Sequence, residues 1–137
     1  MTTDASWPLQ RSVHGALATC EALQPFLGDP PRILLRPCEE TAFPHVTFGD
    51  SRSKAWSSAT FDGQEHQMVL DIWSDQDAAA DVKQIAAIVI ERLHNADLPI
   101  PGHALVDLQF ESSETRLWQE KRLEHCRLEF SALTVSD

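Results

Sequence analysis

An α+β fold is predicted by three observations: five short β-rich stretches, two longer stretches with apolar residues at steps of three and four, and the order in which they occur. The order is αβββαββ. It implies a mostly antiparallel sheet of about five strands with two helices packed on one face. At 137 residues the chain suits a single domain spanning 1–137, long enough to bury a core without staples.

Residues 1–6 read as a loose N-terminal tail. From Pro8, the residues Leu9, Val13, Ala16, Leu17, Cys20, Leu23 and Leu27 line one helix face. Pro8 suits a first turn and Ser6 a cap, while Pro25 should end or distort the helix near Gln24. Gly28-Asp29-Pro30-Pro31 breaks the chain direction. Arg32 to Arg36 is the first expected strand, and Pro44 to Gly49 the second, opened by a proline where no ladder donor is lost.

Ser51 to Gly63 is serine-rich and ends in Asp62-Gly63. It is either a long loop or an extension of the flanking strands. Gln64 to Trp73 is the strongest strand: Met68, Leu70 and Ile72 alternate with Val69, Asp71 and Trp73. Asp75 and Asp77 offer caps and early negative charge to a second helix from about Asp77 to Asn95, striped by Ala78, Val82, Ile85, Ala86, Val89 and Leu93. Asn95 suits its C-terminus, and Pro99 and Pro101 forbid continuation. Leu105 to Glu111 is the fourth strand, with Val106, Leu108 and Phe110 on one face, and Ser112 to Arg122 extends it through Trp118 to a turn. Glu124 to Val135 is the last, its Cys126, Leu128, Phe130 and Ala132 facing the core.

Charge and composition narrow the function classes. Acidic residues outnumber basic ones 21 to 11, for a net charge of −10, which opposes a role in gripping nucleic acid through its phosphates. No apolar run approaches the ~20 residues of a membrane helix. The N-terminus has neither the basic region nor the apolar core of a signal peptide, so synthesis is placed in the cytoplasm. Three widely spaced cysteines, Cys20, Cys38 and Cys126, make a poor disulfide framework and fit a reducing compartment.

Catalytic and metal signatures are weak. The six histidines are scattered singly, with no His-x-x-x-His pair and no Cys-x-x-Cys. Glu39 and Glu40 point apart on an extended chain, and capping accounts for Asp75 and Asp77. No glycine-rich phosphate loop is present. Serines 51, 53, 57 and 58 lack the Gly-x-Ser-x-Gly elbow that would mark a nucleophile. Metal, cofactor and catalytic residues are therefore expected to be none. Among four tryptophans, Trp73 reads as core and Trp7 as a staple for the first helix. Trp56 lies in the polar stretch near Lys54 and Phe61, so it either anchors an interface or folds back onto its own sheet.

Several segments together resemble the small tail-completion, or tail-terminator, proteins of long-tailed bacteriophages and gene transfer agents. They are Leu9-Gln10-Arg11-Ser12-Val13-His14-Gly15-Ala16-Leu17, Pro31-Arg32-Ile33, Phe43-Pro44-His45-Val46-Thr47-Phe48-Gly49, His66-Gln67-Met68-Val69-Leu70-Asp71-Ile72-Trp73-Ser74 and Leu93-His94-Asn95-Ala96. The resemblance covers nearly the whole chain. It implies a non-enzymatic protein forming a ring, commonly hexameric, that ends the tail tube and joins it to a head-side connector or stopper. DNA would pass through the ring without specific binding. The protein would be made in the bacterial cytoplasm and reside at the head–tail junction, without membrane contact. Lys54, Trp56 and Phe61 of the long loop would then serve subunit or partner contacts. Two other classes compete with this reading: a small hydrolase or transferase using the scattered His and Asp residues, and a monomeric acidic binding module or inhibitor.

Overall fold

The computed structural model describes residues 4–36, 38, 40–75 and 81–136. The elements run α1 (Ser6–Ala18), a 3₁₀ turn (Glu21–Leu23), α2 (Gln24–Leu27), β1 (Ile33–Leu34), β2 (His45–Ala55), β3 (Gly63–Asp75), α3 (Val82–Leu93), β4 (His103–Trp118) and β5 (Leu123–Ser136). The strands form one sheet in the order β1-β2-β3-β5-β4. β1 pairs parallel to β2, and every other pair is antiparallel. The α+β expectation holds, with three helices rather than two.

The third helix arises at Pro25. The proline does not merely end the first helix. The chain breaks earlier, after Ala18, and Pro25 then sits in the first turn of α2, where its missing N–H costs nothing. α1 begins two residues before Pro8. Of the expected tail, residues 1–3 lie outside the described residues, while Ser6 is already helical. Ala5 is buried, and its N–H donates to Gln64 Oε1 at 2.6 Å. Ser6 is thus not the cap. Its own N–H is taken by Asp4 Oδ1 at 2.9 Å.

α3 is capped by Asp81, whose carboxylate accepts from the Lys83 N–H at 2.7 Å. Neither Asp75, the last residue of β3, nor Asp77 takes this position; Asp77 and Ala78 lie outside the described residues, as does Glu39. The helix ends as the sequence indicates. Asn95 follows it with φ 59°, the left-handed conformation that asparagine tolerates.

One face of the sheet carries the core. His66, Met68, Leu70, Ile72 and Ser74 of β3 alternate inward and meet Cys126, Leu128, Phe130, Ala132 and Thr134 of β5. Leu9, Val13 and Leu17 of α1, Leu27 of α2 and Ile85, Val89 and Leu93 of α3 complete the cluster. β4 departs from simple alternation. A bulge between Leu105 and Asp107 turns Val106 outward, so it is 54% exposed instead of sharing the core face with Leu108.

Two buried histidines, His66 and His45, have hydrogen-bond partners. His66 stands between Ser53 Oγ (2.8 Å to Nδ1) and Thr134 Oγ1 (2.9 Å to Nε2). Burial pushes its pKa below the ordinary 6.5, helped by His103 and opposed by Asp4. Burial also lowers His45, against the pull of the Ala42 carbonyl. Both imidazoles therefore stay neutral in the fold, while the unfolded chain takes up protons near 6.5. Stability should be intact above that pH and fall as pH drops through the interval down to the depressed folded values. Each such histidine contributes a slope of up to about 1.4 kcal/mol per pH unit in that interval. Thermal melts at about pH 7.5 and about pH 5.5 should show the loss, and His66→Gln should flatten part of it.

Candidate assembly surfaces

All three helices lie on one side, so the opposite sheet face is open. It presents the odd-numbered positions of β3 and β5 and the matching positions of β2 and β4. A shallow depression of about 750 Å³ runs across it, lined in part by Asp50, Arg52, Glu65, Glu111, Arg127 and Glu129. The lining is polar and its acidic side chains outnumber its basic ones, which suits contact with water rather than a small apolar ligand.

At one end of this face lies a cluster that the sequence alone did not single out. His125 Nε2 is 2.6 Å from Asp71 Oδ1. The imidazole stacks on Trp73 (centroids 4.2 Å apart) and lies 5.9 Å from Trp118. Trp73 is thus not a core residue but the floor of an aromatic stack on the open face, its indole N–H donating to Thr47 Oγ1 at 3.3 Å. Register brings these groups together: Trp73 pairs with His125 and Asp71 with Arg127 across β3 and β5, while Arg116 of β4 pairs with His125. No reading of the linear sequence supplies that register. The cluster has one carboxylate and one imidazole, and the hydroxyl next to them, that of Thr47 opposite Asp71, already accepts the Trp73 indole N–H. Among the described residues, no three His, Cys, Asp or Glu side chains converge in a way that would hold a metal ion.

The stretch 51–63 resolves into its second alternative. Ser51–Ala55 extends β2, and Gly63 opens β3, leaving only 56–62 as the hairpin tip. Trp56 and Phe61 pack edge to face across the tip with centroids 5.2 Å apart. Trp56 is half-buried, Phe61 is 36% exposed, and Lys54 makes an exposed pair with Glu65 at 3.5 Å. The three residues thus share one hairpin arm. Trp56 packs on its own hairpin, while Phe61 keeps an apolar edge in solvent.

Gly63 fixes the base of this arm. A Cβ there would run into the Trp56 carbonyl oxygen and come within 2.8 Å of the Thr134 carbonyl oxygen. At the opposite end, the β4–β5 hairpin exposes Leu117 (64%) and Trp118 (38%).

The sequence model described as "Tail completion protein gp17" matches residues 11–135. The chain belongs to the tail completion protein gp17 family. No curated protein matches the sequence. Among solved structures, a chain from "Virion of native gene transfer agent (GTA) particle" superposes with a TM-score of 0.86 at 24% identity, covering 98% of this chain and 100% of that one. "Structure of bacteriophage SPP1 gp17 protein" superposes with a TM-score of 0.63 at 18% identity, covering 93% of this chain and 89% of that one. At these identities the likeness is one of fold. The family itself is that of a tail completion protein, which is structural work rather than catalysis.

Gly63→Ala should force the Trp56 carbonyl away from β3 and loosen the arm at a cost of about 1–3 kcal/mol. Chemical denaturation would measure the loss, and Trp56 fluorescence in a variant lacking the other tryptophans would report the displaced tip.

Proposed function

We propose that the chain ends the tail tube of a phage-like particle and joins the tube to the head-side connector, as a closed ring of copies, six in number. Residues 1–137 act as one domain within it. The observation that carries this reading is the family match over residues 11–135. The likeness of 98% of the chain to a virion component and the polar, site-poor open face support it. A ring requires two different patches on each copy, so that the contact is heterologous and closes on itself. The arm with Lys54, Trp56 and Phe61 serves as one contact element. The acidic surplus on the chain suits a passage through which DNA moves without sticking. Assembly takes place in the bacterial cytoplasm, and the finished ring stays at the head–tail junction.

The decisive experiment is electron microscopy of particles from cells lacking this chain. Overlong or headless tails are expected, and normal particles would overturn the proposal. Trp56→Ala and Phe61→Ala should harm assembly more than folding, since both side chains sit on the arm outside the core cluster. Each should lower the melting temperature by only a few degrees, corresponding to about 1 kcal/mol or less, while depressing the yield of tailed particles far more. A large loss of stability with undiminished particle yield would contradict the assigned role of the arm.

A further inference from the structure

The arm is lightly held on one side. A bulge between Phe48 and Ser51 interrupts β2, so the limb Ser51–Ala55 is not a stiff continuation of the strand before it. β1 lies beside β2 only at Val46 and Thr47, and among the described residues no strand flanks the limb on its outer side. Within the sheet the limb hangs from β3 alone, along the ladder from Ser51–Met68 to Ala55–Gln64. A margin with so few neighbours is the first part of a sheet to open.

Its inward face, however, is pinned by polar groups. Ser6 Oγ of α1 lies 2.8 Å from Ser53 Oγ of β2. Ser53 Oγ lies 2.8 Å from His66 Nδ1 on β3, and His66 Nε2 lies 2.9 Å from Thr134 Oγ1 on β5. One unbroken chain of hydrogen bonds thus joins four elements. Each hydroxyl both donates and accepts, so the chain is complete when every proton points the same way. Beside it, the Gln64 amide holds the backbone at the start of the helix. Its Oε1 accepts from the Ala5 N–H at 2.6 Å, and its Nε2 donates to Asp4 Oδ1 at 3.4 Å. The contacts between α1 or its approach and the arm span 47, 59 and 60 residues of sequence, so they are tertiary ties.

We infer that Ser6, Ser53, Gln64 and His66 are positioning residues that lock the pose of the arm to the first turn of α1. The inference rests on the arm reading above for its purpose, though not for its geometry. Apolar groups of the same shape would hold the helix on the sheet about as well, because a buried hydrogen-bonded pair adds little net stability over them. Hydrogen bonds add direction, since they weaken steeply away from their preferred angle. The polar layer lies at the root of the arm, next to Gly63, where the backbone is already pinched between the Trp56 and Thr134 carbonyls. Further along the sheet the same face is built of Leu9, Val13, Met68, Leu70 and Phe130. Direction is therefore supplied where the bulge would otherwise let the limb turn. A tie of this kind is reciprocal: what moves the arm moves the start of α1, and the reverse.

The test is amide hydrogen exchange on the full chain, followed residue by residue by NMR. S6A alters only the helix, yet exchange at Ser51–Ala55 should rise about three- to tenfold, the range for one lost hydrogen bond. S53A alters only the arm, and exchange at Ala5–Leu9 should rise by a similar factor. In the S53A background, S6A should add less than about twofold, because the contact is already gone. Gln64→Leu should loosen both regions by the second route. Val69–Ile72 and Arg127–Glu129, at the centre of the β3–β5 ladder, should exchange as in the unsubstituted chain throughout. Arm protection unchanged by S6A would overturn the tie. So would effects of S6A and S53A that multiply, or acceleration that is equal in the arm and the ladder. The reading of the arm as a contact element fails separately: it falls if S6A/S53A loosens the arm while the yield of tailed particles, counted by electron microscopy, stays undiminished.

Discussion

The structure depends on one ladder. β3 and β5 pair without interruption from Gly63–Val135 to Asp75–Leu123, and neither strand carries a bulge against the other. Because side chains alternate strictly along such a ladder, a single register sends Leu70, Ile72, Leu128 and Phe130 to the helices and Asp71, Trp73, His125 and Arg127 to the opposite side. A slip of one residue would bury the charges and expose the core. The irregularities fall on the flanking strands, where β2 bulges after Phe48 and β4 bulges twice. The sheet thus has a regular centre and irregular margins.

Placing every helix on one side has a second effect. None of the three helices covers the open face, and its described side chains are largely polar, as contact with water requires. The sequence meets this with carboxylates, a few arginines and a tryptophan that is screened by His125 and Trp118. Among the described residues, no three His, Cys, Asp or Glu side chains converge on this face in a way that would hold a metal ion. A surface of this kind fits a family defined by completing a tail.

Much of this was legible in the residues. Alternation in Gln64–Trp73 and Glu124–Val135 located the two central strands, and the stripe of Val82, Ile85, Ala86, Val89 and Leu93 located α3. What stayed hidden was non-local. Whether Pro25 would stop a helix or start one depended on where the chain had already turned, at Thr19 and Cys20. Val106 looked like a core residue because a bulge is invisible to an alternation rule. Trp73 looked buried in the core because the partner that shelters it, His125, lies on another strand. The Lys54–Trp56–Phe61 group was found by its incongruity, aromatic residues in a polar stretch, and the structure places all three on one arm.

His94 and Asn95 occupy the outer side of β4 at Phe110 and Leu108, much as β1 occupies the outer side of β2 at Val46 and Thr47. Each would act as a doorstop: a strand from outside could lie down only on the uncovered length of that edge. A polypeptide with unblocked margins would accept neighbours in many alignments and grow without limit, as fibrils do. Two short obstructions, each made of a couple of residues, would thus shorten the length of backbone open to such growth.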